Sequence, residues 1–426
     1  MAGAANSQRA WIHTVRWKIA LLLSTAIAIS YVDRQTLPVA ISAIQRDIAV
    51  SNTQFAQLQA AFLLAYALMY AAGGRLADAA GTRLGLLLMM VGWSLACAGH
   101  ALAAGFWTLA VSRFLLGAAE GGGFPAATKA VAEWFPARER SMAMGIIHAG
   151  SSAGSVIAPP VIALILSLAN WRWAFLLPAA AGLLWTVWWL RSYFPPAQHT
   201  RLTAAERECI AEVIEAQPSS KAGVQWAAVL AYPQVWGLFA AKFLYDAAFY
   251  FYLFWIPKYL FDARGFDTKS VGYFAWIPYA AHGIGGLAGG WVSSWLIRRG
   301  WPLNASRKAA LGVSAAIMPV VFFVTKSPVE LAILLLSLAF FGQAVTSTII
   351  MTLPADLFPQ RAVGSVAGFL GMGGSFGGIV FGLVTGYLLD HRFGYSAIFA
   401  LVSSFHLIAF SIILLTVRTV REVELS

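Results

Sequence analysis

Two charged side chains lie inside one long apolar run of this 426-residue chain. Arg113 and Glu120 are seven residues apart in the segment RFLLGAAEGGGFP, residues 113–125. Seven residues are almost two turns of an α-helix, so both side chains project from the same helix face. A charge at the centre of a bilayer costs about 3 kcal/mol, and such residues usually face a cavity or a partner. The spacing therefore predicts an internal polar site.

Four more ionisable residues fall in two other apolar runs. Asp33 and Arg34 are adjacent and project about 100° apart on a helix, so each needs a partner on another helix. Lys242 and Asp246 are i and i+4, so Asp246 is predicted to support Lys242 directly. One interpretation is that all these charges form structural ion pairs, which contribute little net stability when buried. The other is an anion site, in which Arg34 binds a substrate carboxylate by two hydrogen bonds and a displaced acid keeps a proton.

The composition indicates a membrane protein. The chain is 59% hydrophobic and 11% charged, far from the balance of a soluble globular domain. Apolar segments of about 20 residues recur, and a segment of this length crosses a bilayer as a helix. We predict an all-α membrane protein with twelve spans, at about 18–40, 54–74, 84–104, 106–133, 142–168, 171–194, 233–261, 271–297, 308–326, 328–357, 362–389 and 395–417.

The basic residues follow the loops. The formal net charge is +11, but the lysines and arginines are spread over the N-terminal segment, every second loop, the central loop and the C-terminal tail. This distribution predicts cytoplasmic termini and no nucleic-acid partner. The N-terminus lacks the short apolar region and cleavage site of a signal peptide, so the first span is predicted to be retained. The two cysteines, Cys97 and Cys209, imply no disulfide.

The two halves of the chain are copies of each other. Six spans repeated twice are typical of transporters whose substrate binds near the membrane midplane, between the halves. We predict an N-terminal six-helix bundle, 1–194, a cytoplasmic linker, 195–232, in which Thr203 and Glu206 begin an amphipathic helix, and a C-terminal six-helix bundle, 233–426. A shift of 223 residues places Glu133, Phe135, Pro136, Arg138, Gly145, Gly150, Ser152 and Gly154 on Asp356, Phe358, Pro359, Arg361, Gly368, Gly373, Ser375 and Gly377.

Polar side chains in several spans are further candidates for a cavity between the halves. Lys242 and Tyr250 lie in the aromatic-rich seventh span, which suits a polyhydroxy compound because rings stack on its C–H faces. By the repeat, Gln343 is the counterpart of Glu120 and is predicted to contact substrate hydroxyls. The other candidates are polar residues of the fifth, tenth and eleventh spans: His148, Ser151, Ser152, Thr346, Ser347 and Ser375.

The loop between the second and third spans has a recognisable pattern. It reads GRLADAAGTR and contains Gly74, Asp78, Gly81 and Arg83, which suit a tight turn whose acid caps a helix or pairs with a base. It resembles the GxLADxxGxR pattern that the major facilitator superfamily carries in the same loop of a twelve-span chain. The resemblance implies two pseudo-symmetric six-helix halves, with this loop taking part in the conformational switch.

Motifs in four spans narrow the resemblance. YVDRQTL in the first span and RFLLGAAEGGGFP in the fourth are similar to the anion:cation symporter family, which moves organic anions, often with protons. FYLFWIPKYL and LPADLFPQRAVGSVAGFLGMGGSFGG are similar to segments of bacterial hexuronate transporters, and the similarity covers essentially the whole chain. The resemblance implies the following roles: proton coupling for Asp33 and Glu120, substrate-carboxylate binding for Arg34, support of an acid for Arg113, and a substrate hydrogen bond for Tyr66.

The resulting hypothesis is a proton-coupled symporter that imports a sugar-acid monocarboxylate, such as galacturonate or glucuronate, through the bacterial inner membrane. We expect a monomer in the lipid bilayer, with no cofactor and no metal. Gln343, Thr346 and Ile349 stand where similar transporters tend to have His, Trp and Asn, which leaves the sugar open. The alternatives are a symporter, exchanger or uniporter of other organic anions, such as an aldonate or glucarate, and a substrate sensor with a transporter fold. No HExxH, GxSxG or P-loop pattern supports an enzyme.

Overall fold

The computed structural model describes residues 14–135, 137–204, 206–208, 210, 229–358, 360–421 and 423. This part of the chain is almost entirely helical. Its α-helices are α1 (Val15–Ile44), α2 (Asn52–Gly99), α3 (Phe106–Glu120), α4 (Gly123–Trp134), α5 (Ala137–Leu168), α6 (Trp173–Ser192), α7 (Pro233–Arg264), α8 (Thr268–Phe274), α9 (Trp276–Arg298), α10 (Leu303–Ile317), α11 (Val329–Leu357), α12 (Gln360–Asp390) and α13 (Gly394–Thr416). Short 3-10 helices are His100–Leu102, Pro196–Gln198 and Met318–Lys326. Eight helices among the described residues are long and apolar enough to cross a membrane.

Three spans that were predicted as continuous are interrupted. The run 106–133 divides into α3 and α4 at two glycines, residues 121–122, because glycine is a weak helix former. The run 271–297 divides at Ala275, three residues before Pro278, whose missing N–H cannot bond the carbonyl of Phe274. The run 308–326 changes from α-helix to 3-10 helix at Met318, just before Pro319.

The predicted turn between the second and third spans is a break at one residue. Both spans belong to α2, and within it Gly81 has φ 75° and ψ 155°, a conformation that only glycine adopts readily. Gly74 and Asp78 precede this break, and their side chains lie outside the described residues. Arg83 follows it, donates a hydrogen bond to the Leu190 carbonyl near the end of α6 (2.7 Å) and stacks on the ring of Phe194, just beyond α6.

The repeat is visible in how the helices pack. Gly154 of α5 lies so close to the Ala28 carbonyl of α1 that a Cβ there would overlap it. Its repeat counterpart, Gly377 of α12, lies equally close to the Phe243 carbonyl of α7. The first and fifth helices of the N-terminal half therefore make the same contact as their counterparts in the C-terminal half, because glycine lets two backbones approach.

At one end of the bundle, an acidic side chain in each half links the first span of that half to its last span. We call the end that carries residues 44–52 and 390–394 the distal end, and the end that carries the chain termini the terminal end. At the distal end, Asp47 accepts hydrogen bonds from Trp171 Nε1 (2.8 Å) and Arg172 Nη1 (3.2 Å), and these bonds lower the pKa of Asp47. In the other half, Asp262 accepts one from the Tyr395 hydroxyl (3.3 Å).

The helix cap that the sequence predicts at Thr203 and Glu206 in the linker is present. The Glu206 N–H donates to Thr203 Oγ1 (3.2 Å), and the Thr203 N–H donates back to the Glu206 carboxylate (3.4 Å), which is the expected helix cap. Glu206 also accepts the Val15 N–H (2.7 Å) at the start of α1. The rest of the predicted amphipathic helix, 211–216, the linker residues up to 228 and Cys209 lie outside the described residues.

The halves touch at the distal end, whereas two glycines near the terminal end have open space beside them. Distally, Gly272 of α8 packs against Ala163 of α5, and Gly386 of α12 packs against the start of α2. At the terminal end, the repeat-related Gly145 and Gly368 have no described atom within 4 Å of where a Cβ would lie. The described contact at these distal glycines is therefore closer than at Gly145 and Gly368.

Candidate functional site

An ion pair between α1 and α3 is the centre of the N-terminal half. Arg34 Nε lies 2.6 Å from Glu120 Oε2, and the two side chains are 5% and 0% exposed. Glu120 Oε1 has no hydrogen-bond partner in the described structure. A buried pair of this kind leaves an uncompensated charge if either partner is removed.

Three aromatic rings lie close to the Arg34 guanidinium. Its guanidinium carbon lies 4.6 Å from the ring centre of Tyr31, 4.5 Å from that of Tyr66 and 5.5 Å from that of Phe62. On α2 the rings of Phe62, Tyr66 and Tyr70 follow one another at spacings of four residues, with centroids 5.8 Å and 5.9 Å apart. Of these three residues, only Tyr66 was predicted from the sequence to belong to the site. The i, i+4 spacing is the signal that would have found the other two rings.

Arg113, which the resemblance gives as the support of an acid, forms no ion pair among the described residues. Its Nη2 donates to the Arg34 carbonyl (3.4 Å), and its Nε and Nη1 have no hydrogen-bond partner among the described residues. The break after α3 ends the helix at Glu120, and the carboxylate reaches Arg34 on α1 instead of Arg113. Arg113 is fully buried and acts on the acids through its charge rather than by contact.

Asp33 lies on the other side of α1 from the cavity. It is fully buried, and its Oδ1 accepts a hydrogen bond from the Cys97 thiol (3.3 Å). Its Oδ2 has no hydrogen-bond partner among the described residues. The two acids that were predicted to couple protons are therefore not equivalent, since Glu120 borders Arg34 whereas Asp33 lies among the helices of the N-terminal half.

The C-terminal half carries its own buried ion pair. Lys242 Nζ lies 2.5 Å from Asp246 Oδ2 on α7, as the i, i+4 spacing predicts, and both side chains are 10% exposed. Lys242 Nζ also lies 4.6 Å from the ring centre of Tyr245. On α12, a Cβ at Gly374 would overlap the Asp246 carboxylate, so glycine is needed for the acid to fit against this helix.

Tyr250 and Ser375 lie near this pair. The Tyr250 ring packs on Gly378 of α12 and stacks on Phe254, with centroids 5.7 Å apart. Ser375 is buried, and its hydroxyl donates to the Gly371 carbonyl of its own helix (3.2 Å). Tyr250 faces the contact between the halves, because a side chain of α2, Leu63, reaches the same glycine.

Gln343 has internal partners for its whole amide group. Its Nε2 donates to the Tyr245 carbonyl (3.2 Å), and its Oε1 lies 2.6 Å from His406 Nε2. The residue is 1% exposed. Each end of the amide therefore has one internal partner, and these bonds link α11 to α7 and α13.

The remaining candidates are distributed along the contact between the halves and inside the C-terminal half. His148 is exposed and stacks on Phe124, with centroids 5.2 Å apart, and the Ser151 hydroxyl donates to the His148 carbonyl (2.6 Å). Ser152 packs against Gly283 of α9, across the halves. The Thr346 and Ser314 hydroxyl groups form a hydrogen bond (2.7 Å between the oxygens) inside the C-terminal half, and Ser347 is half-buried on α11.

The N-terminal and C-terminal halves thus each contain a buried cation that is paired with one acid and lies close to a tyrosine ring. A cation held in this way has the chemistry to bind an anion. A search of the described residues finds no group of three or more His, Cys, Asp or Glu side chains that could hold a metal ion.

A single carboxylate joins the two halves at the distal end. Asp390, the last residue of α12, accepts hydrogen bonds from the Asn52 N–H (3.0 Å), the Asn52 side-chain amide (2.9 Å) and the Thr53 N–H (2.8 Å). The free N–H groups of a helix start attract a negative charge. Asp390 therefore binds the N-terminus of α2 from the other half and holds the distal end closed.

We expect Asp390→Asn to favour opening of the distal end. The amide keeps the size of the side chain but removes the charge and one acceptor, a loss of about 1 kcal/mol, or about fivefold in the closed-to-open ratio. Spin labels at the exposed residues Leu102 and Phe393 would report this as a larger population of long distances in the Asp390→Asn protein. Asp267→Asn is the matched control, because Asp267 caps α8 within one half through Ser270. An unchanged distance distribution would contradict the role of Asp390.

Comparisons with known proteins agree with this architecture. The sequence model of the Major Facilitator Superfamily matches residues 23–381, with a second match at 304–425. The chain is 32% identical over 421 residues to the hexuronate transporter of Escherichia coli K12, covering 97% of each chain. It is 33% identical over 311 residues to the galacturonate transporter of Dickeya chrysanthemi, covering 72% of this chain and 90% of that one.

Solved structures show the same fold. A bacterial homologue of the human lysosomal transporter Spinster, in an inward-facing and occupied conformation, superposes with a TM-score of 0.75 at 17% identity, covering 95% of this chain and 97% of that one. The predicted all-α fold of twelve membrane spans in two pseudo-symmetric halves is confirmed. The chain is a transporter rather than an enzyme, and it belongs to the Major Facilitator Superfamily.

Proposed function

We propose that the protein is a proton-coupled symporter of sugar-acid monocarboxylates, with hexuronates such as galacturonate and glucuronate as its substrates. The observation that carries the proposal is the buried pair between Arg34 and Glu120, with tyrosines around the guanidinium. A guanidinium matches a carboxylate by two parallel hydrogen bonds, and rings suit the C–H faces of a sugar. The two relatives described above carry names for this same chemical class.

The coupling step follows from the pair. The substrate carboxylate takes the guanidinium of Arg34, and Glu120, which thereby loses its cation in a buried site, takes a proton. The monoanion and the proton then cross together as a neutral unit. Asp33 is a second acid, and Tyr66 is a hydrogen-bonding ligand beside Arg34. Arg113 keeps its positive charge inside the same bundle.

The fold supports a mechanism of alternating access between two bundles, residues 1–194 and 233–426, which the linker 195–232 connects. We place the protein in the bacterial inner membrane as a monomer, with both termini in the cytoplasm, so that the terminal end faces the cytoplasm. The substrate, protons and the bilayer are then its only partners. The loop that contains Gly74, Asp78, Gly81 and Arg83 takes part in the switch between conformations.

Uptake by reconstituted vesicles tests the proposal. We expect labelled galacturonate or glucuronate to accumulate when the outside is more acidic, and a protonophore to abolish the accumulation. One proton with a monoanion is driven by about 1.4 kcal/mol per pH unit, which is a tenfold accumulation. Exchange of labelled for unlabelled sugar acid without pH-driven accumulation would indicate an exchanger. Binding without any flux would indicate a sensor, and either result would refute symport.

A further inference from the structure

A row of four aromatic rings joins the two halves beside Arg34. In the N-terminal half, Tyr66 and Phe62 of α2 are one helical turn apart and stack, with ring centroids 5.8 Å apart and ring planes at 22°. In the C-terminal half, Tyr250 and Phe254 of α7 stack in the same way, at 5.7 Å and 19°. The two phenylalanine rings meet edge to face across the halves, with centroids 6.4 Å apart and planes at 84°. We call these four rings the aromatic bridge.

The phenylalanines of the aromatic bridge lie on its distal side and the tyrosines on its terminal side. Helix α2 begins at the distal end, so Phe62 lies one turn closer to that end than Tyr66 does. Helix α7 ends near the distal end, so Phe254 is likewise distal to Tyr250. The two phenylalanines are 0% and 2% exposed. Their contact is therefore a dry seal between the halves, with a tyrosine from each half on its terminal side.

Phe62 belongs both to the aromatic bridge and to the surroundings of two arginines. The centre of its ring lies 5.5 Å from the guanidinium carbon of Arg34 and 5.8 Å from that of Arg113. Guanidinium groups are attracted to the faces of aromatic rings. Gly117 of α3 packs against the Phe62 carbonyl so closely that a Cβ there would overlap it, which fixes the backbone of Phe62 within its own half. The Phe62 ring thus contacts the arginines of one half and a ring of the other.

A second pair of rings crosses the halves nearer the distal end. Phe55 of α2 and Trp255 of α7 lie edge to face, with centroids 4.9 Å apart and planes at 87°. Phe55 precedes Phe62 by seven residues, which is almost two helical turns. Among the described residues, no arginine or lysine lies over the ring of Phe55 or of Trp255. This outer pair has the geometry of the contact between the phenylalanines and lacks its link to the arginines.

We propose that Phe62 is a positioning residue that transmits the occupancy of Arg34 to the contact between the halves. The inference rests on the proposed function, because it takes a sugar-acid carboxylate at Arg34 as the signal. A sugar acid bound there lies against Tyr66 of one half, and Tyr250 of the other half reaches it when the aromatic bridge is closed. The ligand therefore binds the closed bridge more tightly than the open one and raises the closed population.

The response of the distal end to a ligand tests this role. Spin labels at the exposed residues Leu102 and Phe393 report the closed-to-open ratio of the purified full-length protein. We expect saturating galacturonate to raise this ratio about fivefold or more in the unmodified protein and less than about twofold in Phe62→Leu. Phe254→Leu removes the same contact from the other helix and should lose the response as well, so the test does not depend on the folding of one variant.

The outer pair provides the matched control. Phe55→Leu removes an edge-to-face contact between the halves and should lower the closed-to-open ratio without ligand by about fivefold. It should keep the response to galacturonate, because Phe55 has no contact with Arg34. A change that only loosened the packing between the halves would affect the response of Phe55→Leu and Phe62→Leu equally, and that result would overturn the role of Phe62.

A double variant tests the contact itself in the absence of ligand. Phe62→Leu and Phe254→Leu should each lower the closed-to-open ratio about fivefold, because an edge-to-face pair adds a factor of this size. Phe62→Leu/Phe254→Leu should lower it no further than either single variant does, since both remove one shared contact. Two independent effects that multiply to about 25-fold would overturn the aromatic bridge.

Equilibrium binding of galacturonate on the same samples separates this inference from the proposed function. If the unmodified protein binds galacturonate and its closed-to-open ratio does not change, Phe62 transmits nothing and the proposed function is intact. The same conclusion follows if Phe62→Leu responds as the unmodified protein does. If the unmodified protein binds no sugar acid at all, both the role of Phe62 and the proposed function are wrong.

Discussion

Glu120→Gln is expected to abolish proton-driven accumulation of substrate while leaving exchange intact. Glutamine has the size of glutamate and can still accept the Arg34 Nε hydrogen bond through its amide oxygen, but it cannot take up a proton. Glu120 ends α3, and its Oε2 lies 2.6 Å from Arg34. With a pH difference of one unit, the tenfold accumulation of the unmodified protein should fall to the outside concentration.

Two flux measurements on the same vesicles separate coupling from binding. Uptake driven by an acidic exterior reports coupling, and counterflow of labelled against unlabelled galacturonate reports binding and conformational exchange. Glu139→Gln is the control, since Glu139 pairs with Arg16 (3.0 Å) outside the cavity and should accumulate substrate normally. If Glu120→Gln accumulated substrate as the unmodified protein does, Glu120 would not be the coupling acid.

Arg34→Lys should weaken sugar-acid binding about 100-fold. Lysine keeps the charge but presents a compact ammonium group, so the two parallel hydrogen bonds to a carboxylate and the planar stacking on Tyr31 and Tyr66 are lost. A bidentate charge-assisted contact of this kind is worth roughly 2.7 kcal/mol, which corresponds to that factor. Equilibrium binding of galacturonate to the purified protein measures the change.

Arg172→Lys is the matched control for this variant. Arg172 also pairs with an acid, Asp47 (3.2 Å), and lies over a ring, that of Trp171 (4.4 Å), but it does so at the distal surface. The Arg172→Lys protein should bind galacturonate with the same affinity as the unmodified protein. Thermal stabilisation by sugar acids and by neutral sugars gives the contrary outcome. If neutral sugars stabilised both the Arg34→Lys protein and the unmodified protein as much as sugar acids do, Arg34 would not be the carboxylate ligand.

The sequence predicted best those structural features that depend on charge and on the periodicity of the chain. Hydropathy predicted the spans, because a charge inside a bilayer has a large cost. The repeat predicted that Gly154 and Gly377 are counterparts, and in the structure both make a close backbone contact. The pair between Lys242 and Asp246 followed from helix geometry alone, since both residues lie on one helix at i and i+4.

Pairings between helices were less predictable. Arg113 and Glu120 share a helix face in the sequence, yet Glu120 pairs with Arg34, because the helix ends at Glu120 and α1 lies alongside. Gln343 was predicted from the repeat to face the substrate, but His406 and the Tyr245 carbonyl occupy its amide. Such contacts depend on helix rotation and on which helices are neighbours, and neither quantity is contained in hydropathy or spacing. The roles that we assign to these residues stay predictions.

The thiol of Cys97 gives the protein an internal spectroscopic reporter. It lies 3.3 Å from Asp33 Oδ1 and 3.5 Å from the Phe175 carbonyl, so its one hydrogen has two competing acceptors. Protonation of Asp33 weakens the first acceptor, and the hydrogen then turns towards the second. The S–H stretching vibration absorbs where few other protein groups do, so we expect the frequency of the Cys97 band to shift if Asp33 changes its charge.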